Sequence, residues 1–232
     1  MLEMHNLHAG HGALPVLHGI SLTLAKGEIM AILGRNGVGK TTLLRTLIGD
    51  LPVSSGQISF EGQNISHEPP HVRAWRGLGY VPQGRGIISK LTVWENLIIG
   101  TRANQSSNGK IPDGIVERFP MLLEKKSQAG GSLSGGQQQQ LALARALCGG
   151  PKVLLLDEPA EGIQPSIVQS IGELLCSVAR DLGIAVMIVE QNIDLARQVA
   201  HRAVILQRGI VHTTLDKNEL MDDELIASSM SL

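Results

Sequence analysis

Aromatic side chains make up only 2 % of this 232-residue chain: two tryptophans, one tyrosine and two phenylalanines. A surface that binds single strands by stacking bases has little to be built from. An excess charge of one sign is missing too. Twenty lysines and arginines stand against 21 aspartates and glutamates, a formal −1, so no basic field points to nucleic acid or anionic lipid. Cysteine is rare: Cys148 and Cys176 both fall in helical-looking apolar segments, which fits a reduced interior better than a disulfide framework or a zinc site. The amino terminus, Met-Leu-Glu-Met-His, lacks the basic-then-apolar pattern of a leader, and no apolar run nears the roughly 20 residues that span a bilayer. Any membrane role is then expected to be peripheral. What is present is 43 % hydrophobic and 18 % charged residues, the balance of a chain that buries a sizeable core. Its length suits one large domain or a domain carrying a subdomain.

The most informative stretch is Gly34-Arg35-Asn36-Gly37-Val38-Gly39-Lys40-Thr41-Thr42, which fits the phosphate-loop pattern G-x-x-x-x-G-K-[ST]. An apolar strand, residues 28–33, precedes it, and a segment with helical apolar spacing follows, the context this motif requires. Glycines let successive N–H groups turn inward around phosphate oxygens, and the helix adds its free N-terminal N–H groups and dipole. Lys40 is expected to reach the terminal phosphates, and the Thr41 hydroxyl to ligate Mg²⁺.

Along the chain, residues 1–24 read as strands about a turn at 10–15. Residues 54–56 read as a turn before a strand at 57–60, residues 70–75 as a short helix, and 78–81 as a strand leading to Pro82-Gln83. From Gly84 the texture becomes helical, with stretches at 93–99 and 115–123 and a polar loop at 103–110. This is expected to be an inserted helical subdomain, residues 84–150, continuing through a helix at 136–147. Strands return at 153–156 and 184–189, separated by a helix at 166–179 with Ile167, Ile171, Leu174, Leu175 and Val178 on one stripe. Residues 1–83 and 151–232 then form the core. Alternating strands and helices predict an α/β fold with a mainly parallel sheet covered on both faces. The tail, 216–232, reads as one or two short acidic helices.

Two further patterns carry chemistry. The strand Val153-Leu154-Leu155-Leu156 ends in Asp157-Glu158. At such a strand end in a phosphate-loop protein, Asp157 suits the Mg²⁺ shell and Glu158 a general base toward attacking water. Leu133-Ser134-Gly135-Gly136-Gln137 combines a capping serine with two glycines that leave a helix N-terminus accessible, a second anion site without a lysine.

Taken together, residues 34–42, Gln83, 133–137, 153–158 and Gln191 stand in the order found in the ATP-binding cassette family, and nearly all of the chain resembles it. The resemblance implies a nucleotide-binding domain with an antiparallel β region and helical subdomain, cofactors ATP and Mg²⁺, and an ATPase working as a head-to-tail dimer. Each ATP would be sandwiched between residues 34–42 of one cassette and residues 134–137 of a second, identical or different. Gln83 would approach Mg²⁺ and the attacking water and couple to the helical subdomain, which in transporters grips a transmembrane permease. A solute-binding protein would take part only indirectly, no nucleic acid would be bound, and the chain would sit on the cytoplasmic face of the membrane. His11 stands where the family usually stacks an aromatic on adenine. Gln191 stands where most members have histidine; it can donate a hydrogen bond but not become a cation near neutral pH. Gln164 replaces a more usual aspartate. The Val-Glu-Gln-Asn run at 189–192 resembles importers of branched-chain amino acids, amides and urea, and residues 133–142 with 161–166 look most like urea-importer ATPases. A cassette ATPase acting on nucleic acid or ribosomes, and an assembly module that hydrolyses ATP poorly, are the alternatives.

Overall fold

The computed structural model describes residues 1–230, and its core is two sheets laid one against the other. The first is antiparallel, in the order β2 (Leu14–Leu24), β1 (Leu2–His11), β4 (Val53–Phe60), β5 (Gln63–Asn64). The second runs β10 (Ile210–Asp216), β9 (Arg202–Gln207), β3 (Ile29–Leu33), β8 (Ala185–Glu190), β7 (Val153–Asp157), β6 (Leu78–Val81). Its neighbours are parallel except the β9–β10 hairpin at one edge.

Strands β3, β7 and β8 are buried along their whole length. Because side chains alternate across a sheet, each strand feeds two different cores. Met30, Ile32, Leu155, Met187 and Val189 pack toward the antiparallel sheet with α1 (Lys40–Leu47). Ala31, Leu33, Leu154, Leu156, Val186 and Ile188 pack on the other face with α6 (Gly135–Cys148), α7 (Pro165–Leu182) and α8 (Ile193–Val199). That is why these runs read as continuous apolar stretches rather than alternating ones. Between β6 and β7 lie α3 (Val93–Gly100), α4 (Asp113–Arg118) and α5 (Pro120–Glu124), packed beside α6.

Two local expectations are altered and one hairpin is added. Residues 54–56 are not a turn but part of β4, where Gly56 (φ 85°) lies so close to the Asn6 carbonyl that a Cβ would stand 2.1 Å from it. The glycine marks a bulge, and the β1–β4 register shifts there. The helix at 115–123 is broken at Phe119 (φ −130°, ψ 61°), because the residue before Pro120 is driven out of the helical region. The pair β9–β10 is an additional hairpin about Arg208 and Gly209. The tail forms the short helices expected of it, a 3₁₀ turn (Glu219–Met221) and α9 (Asp223–Met230), and its last two residues lie outside those described.

Candidate functional site

Strands β3, β6, β7 and β8 are parallel, so the loops after them, beginning at residues 34, 82, 158 and 191, leave the same edge of the sheet. Ligands of α/β sheets bind at that edge. A cleft of about 450 Å³ opens there, lined by His11, Val16, Asn36, Gly37, Gly39, Lys40, Thr41, Thr42, Gln83 and Glu158.

The loop after β3 reaches α1 through Gly37 (φ 80°) and Gly39 (φ 110°), angles that side-chain-bearing residues rarely take. Gly39 is the helix N-cap and supplies no side-chain cap, so the first N–H groups of α1 are left for a ligand. Lys40 is only 4 % exposed and curls back over its own loop, with Nζ donating to the carbonyls of Gly34 (2.8 Å) and Arg35 (3.2 Å). The same ammonium is 3.5 Å from the Glu158 carboxylate. Among the protein's own groups it therefore spans the floor of the cleft.

Asp157 ends β7, 2 % exposed. Thr41 donates its hydroxyl to one oxygen at 3.1 Å and Tyr80 to the other at 3.2 Å. Burial pushes the Asp157 carboxyl above its ordinary pKa, and the two hydroxyls and Lys40 pull it back. Burial and Asp157 together push the Tyr80 phenol upward, so it stays a donor. A carboxylate and a hydroxyl side by side are the hard oxygens that Mg²⁺ takes along with phosphate and water, so the donor set fits that ion.

Glu158 follows in the left-handed region (φ 48°), held by its N–H on the Val189 carbonyl (2.9 Å). Its Oε1 also accepts from the Gln191 amide at 3.2 Å. Gln83, exposed in the loop after β6, donates to Glu161 at 3.0 Å. His11 ends β1 with Nε2 3.3 Å from the Thr42 hydroxyl, placing its ring on the cleft wall. The structure thus gathers His11, residues 34–42, Gln83, Asp157, Glu158 and Gln191 on one edge.

Residues 134–137 are not among the cleft's lining. Ser134 caps α6 and forms a reciprocal box with Gln137: Ser134 Oγ accepts from the Gln137 N–H (3.4 Å) and Gln137 Oε1 from the Ser134 N–H (3.1 Å). Arg85 connects this helix to the cleft's rim, reaching Gln138 (3.4 Å) and the Glu161 carbonyl (3.5 Å). Tyr80, Arg85, Glu161 and Glu190 belong to this edge as well, though no sequence motif marks them as site residues. Tyr80 is the sole tyrosine of the chain and lies one residue before the end of β6, a signal for a polar partner at that sheet edge; Arg85 carries none.

The family described as "ABC transporter" matches residues 17–161. A relative from Pseudomonas aeruginosa, named "High-affinity branched-chain amino acid transport ATP-binding protein BraG", is 40 % identical over 217 residues, 92 % of this chain and 93 % of that one. An Archaeoglobus fulgidus relative, "Probable branched-chain amino acid transport ATP-binding protein LivF", is 35 % identical over 97 % of this chain and 95 % of its own. A solved ATP-binding cassette of an ABC transporter in its ADP conformation superposes with a TM-score of 0.83 at 26 % identity, covering 97 % of this chain and 96 % of that one. With the matched region spanning more than half of its length, the chain belongs to the ABC transporter family, as one of its ATP-binding cassette ATPases.

Proposed function

We propose that this cassette hydrolyses ATP with its own phosphate-side wall and a second cassette's residues 134–137, and so energises import of a small polar solute. The observation that carries the reading is the arrangement around Lys40. Its ammonium, the Thr41–Asp157 oxygen pair and the Glu158–Gln191 pair converge on one cleft, while the Ser134 cap stands off it. In this reading Asn36, Gly37, Val38 and Gly39 offer N–H groups to phosphate, with Gly34, Arg35 and Thr42 completing the loop. Lys40 neutralises the terminal phosphates, and Thr41, Asp157 and Gln83 form the metal side. Glu158 accepts the proton of the attacking water, and Gln191 orients Glu158 and hydrogen-bonds the phosphate. His11 lies against the base. Bound Mg²⁺ would supply charge neutralisation at the phosphates.

The far wall consists of Ser134, Gly135, Gly136 and Gln137 at the start of α6, as an anion site for a partner's nucleotide. This chain carries both walls, so two copies make two complete sites; a paired, different cassette is the other arrangement. Residues 84–150 are the surface offered to transmembrane permease subunits, which would hold the chain on the cytoplasmic face. Among the described residues no helix is long and apolar enough to cross a membrane.

For the solute, the named relatives support branched-chain amino acids. Urea is the second reading, and it stands only on the wording of loops 133–142 and 161–166. Solute-stimulated ATPase activity of the reconstituted complex separates the two. For hydrolysis itself, Glu158→Gln is expected to retain ATP and lose turnover, and undiminished turnover would remove Glu158 from its role.

A further inference from the structure

Glu190 is a buried carboxylate that the proposed chemistry does not use. It ends β8, beside Leu33 at the root of the phosphate loop, and the preceding Val189 lies beside Asp157. Three loops that build the cleft therefore leave the sheet around it. The residue is 3 % exposed. It takes part in none of the ion pairs found among the described residues. Its oxygens are divided between two loops instead. Oε1 accepts from the Ala160 N–H at 2.8 Å, and Oε2 from the N–H groups of Gln191 (3.1 Å) and Asn192 (3.2 Å).

Burying a carboxylate without a cation is unfavourable, and burial does push the pKa of Glu190 upward, against the pull of the three N–H groups. A purely apolar strand end would avoid that cost, so simple packing does not account for the charge. Geometry does. Only a group with two acceptor oxygens and no donor can hold N–H groups of both loops at once. A glutamine would satisfy one loop and turn its own N–H toward the other.

The two loops are those that aim Glu158. Ala160 lies two residues beyond it, and the Glu161 N–H closes a turn onto the Glu158 carbonyl at 3.1 Å. Gln191, next to Glu190, donates to the Glu158 carboxylate at 3.2 Å. Glu158 itself occupies a left-handed conformation that a non-glycine residue keeps only when its surroundings enforce it. We propose that Glu190 is a positioning residue that ties the loop carrying the base to the loop carrying Gln191. In that way it keeps the Glu158 carboxylate between Lys40 and the Gln191 amide. This inference rests on the ATPase reading above.

The test is steady-state ATPase kinetics of the full chain with Glu190→Gln, alone and combined with Gln191→Ala, beside binding of a fluorescent ATP analogue. Glu190→Gln is expected to lower kcat by about tenfold with KM and analogue binding within about twofold. Gln191→Ala should then lower kcat by a smaller factor in that background than in the wild type, because both variants break one linkage while only Gln191→Ala also removes the contact to phosphate. Glu190→Asp keeps the charge but shortens the reach, and should show the same kcat loss. An unchanged kcat in both Glu190 variants, or effects of Glu190→Gln and Gln191→Ala that simply multiply, would overturn the proposal. So would a Glu190→Gln protein that melts early and loses ATP analogue binding, since that marks a purely structural residue. A wild-type chain without ATPase activity would instead overturn the reading on which the inference depends, and the inference with it.

Discussion

The two motif regions of this cassette are built in opposite ways. Around Lys40, itself buried with Asp157, the side chains are joined by contacts from distant parts of the chain: Thr41 to Asp157, Tyr80 to Asp157, Gln191 to Glu158, Lys40 to Glu158. Around Ser134 the contacts are local, an exposed cap whose serine and glutamine satisfy each other three residues apart. The first region needs the whole sheet to exist. The second needs only one helix end, and its residues are not part of the lining of the chain's own cleft. The proposed pairing of cassettes rests on this difference between a wall joined by distant contacts and one that is self-contained.

The strongest way to break the contrast is at its buried half. Glu158→Gln removes the proposed proton acceptor while keeping the shape. ATPase assays should show a loss of about 10²–10⁴-fold, the usual range for a general base, with ATP binding retained. At the exposed half, Ser134→Ala should leave ATP analogue binding by the isolated chain intact yet lower turnover of the associated form. Loss of the cap should also destabilise the protein by about 1 kcal/mol in denaturant unfolding. If the isolated chain lost ATP binding instead, the two regions would not be separable.

Asp157 sharpens the contrast through stability. Its native pKa is raised mainly by burial, so its charged form is disfavoured in the fold. Such a carboxylate lowers stability as pH rises from its unfolded value through its folded one. Asp157→Asn should therefore melt higher than wild type near pH 7 while losing Mg²⁺-dependent hydrolysis. The gap should close as the pH falls below the ordinary aspartate range, a trend that melting curves across pH would show. The smallest effect is expected from Tyr80→Phe, which deletes one hydrogen bond to Asp157, worth about 1 kcal/mol in unfolding experiments, and leaves the cleft's floor in place.

Legibility in the sequence followed the same divide between local and distant contacts. The phosphate loop, the capped start of α6 and the apolar run into Asp157 are each written within a few consecutive residues, and each stands in the structure where its spacing put it. The bulge at Gly56 and the break at Phe119 were misread because a glycine and a proline punctuate a chain without saying whether it turns, bulges or restarts. The bulge depends on the approach of Asn6, some fifty positions away in sequence. The hairpin after α8 went unread, although its turn glycine, Gly209 (φ 76°), packs against Val16 of β2. Tyr80 and Glu190 were invisible as site residues for a related reason. Each is an ordinary residue at or next to a strand end, and only the register of β6, β7 and β8 brings it to the loops that line the cleft.

The claim that one chain supplies each half of a site is tested most directly by mixing two inactive variants. Lys40→Ala destroys the near wall and keeps the far one; Ser134→Arg does the reverse. Alone, each should be nearly without ATPase activity. Mixed in equal amounts, half of the dimers pair one copy of each and contain one intact composite site, so activity should return to roughly a quarter of the wild-type level. A mixture no more active than its components would contradict the account.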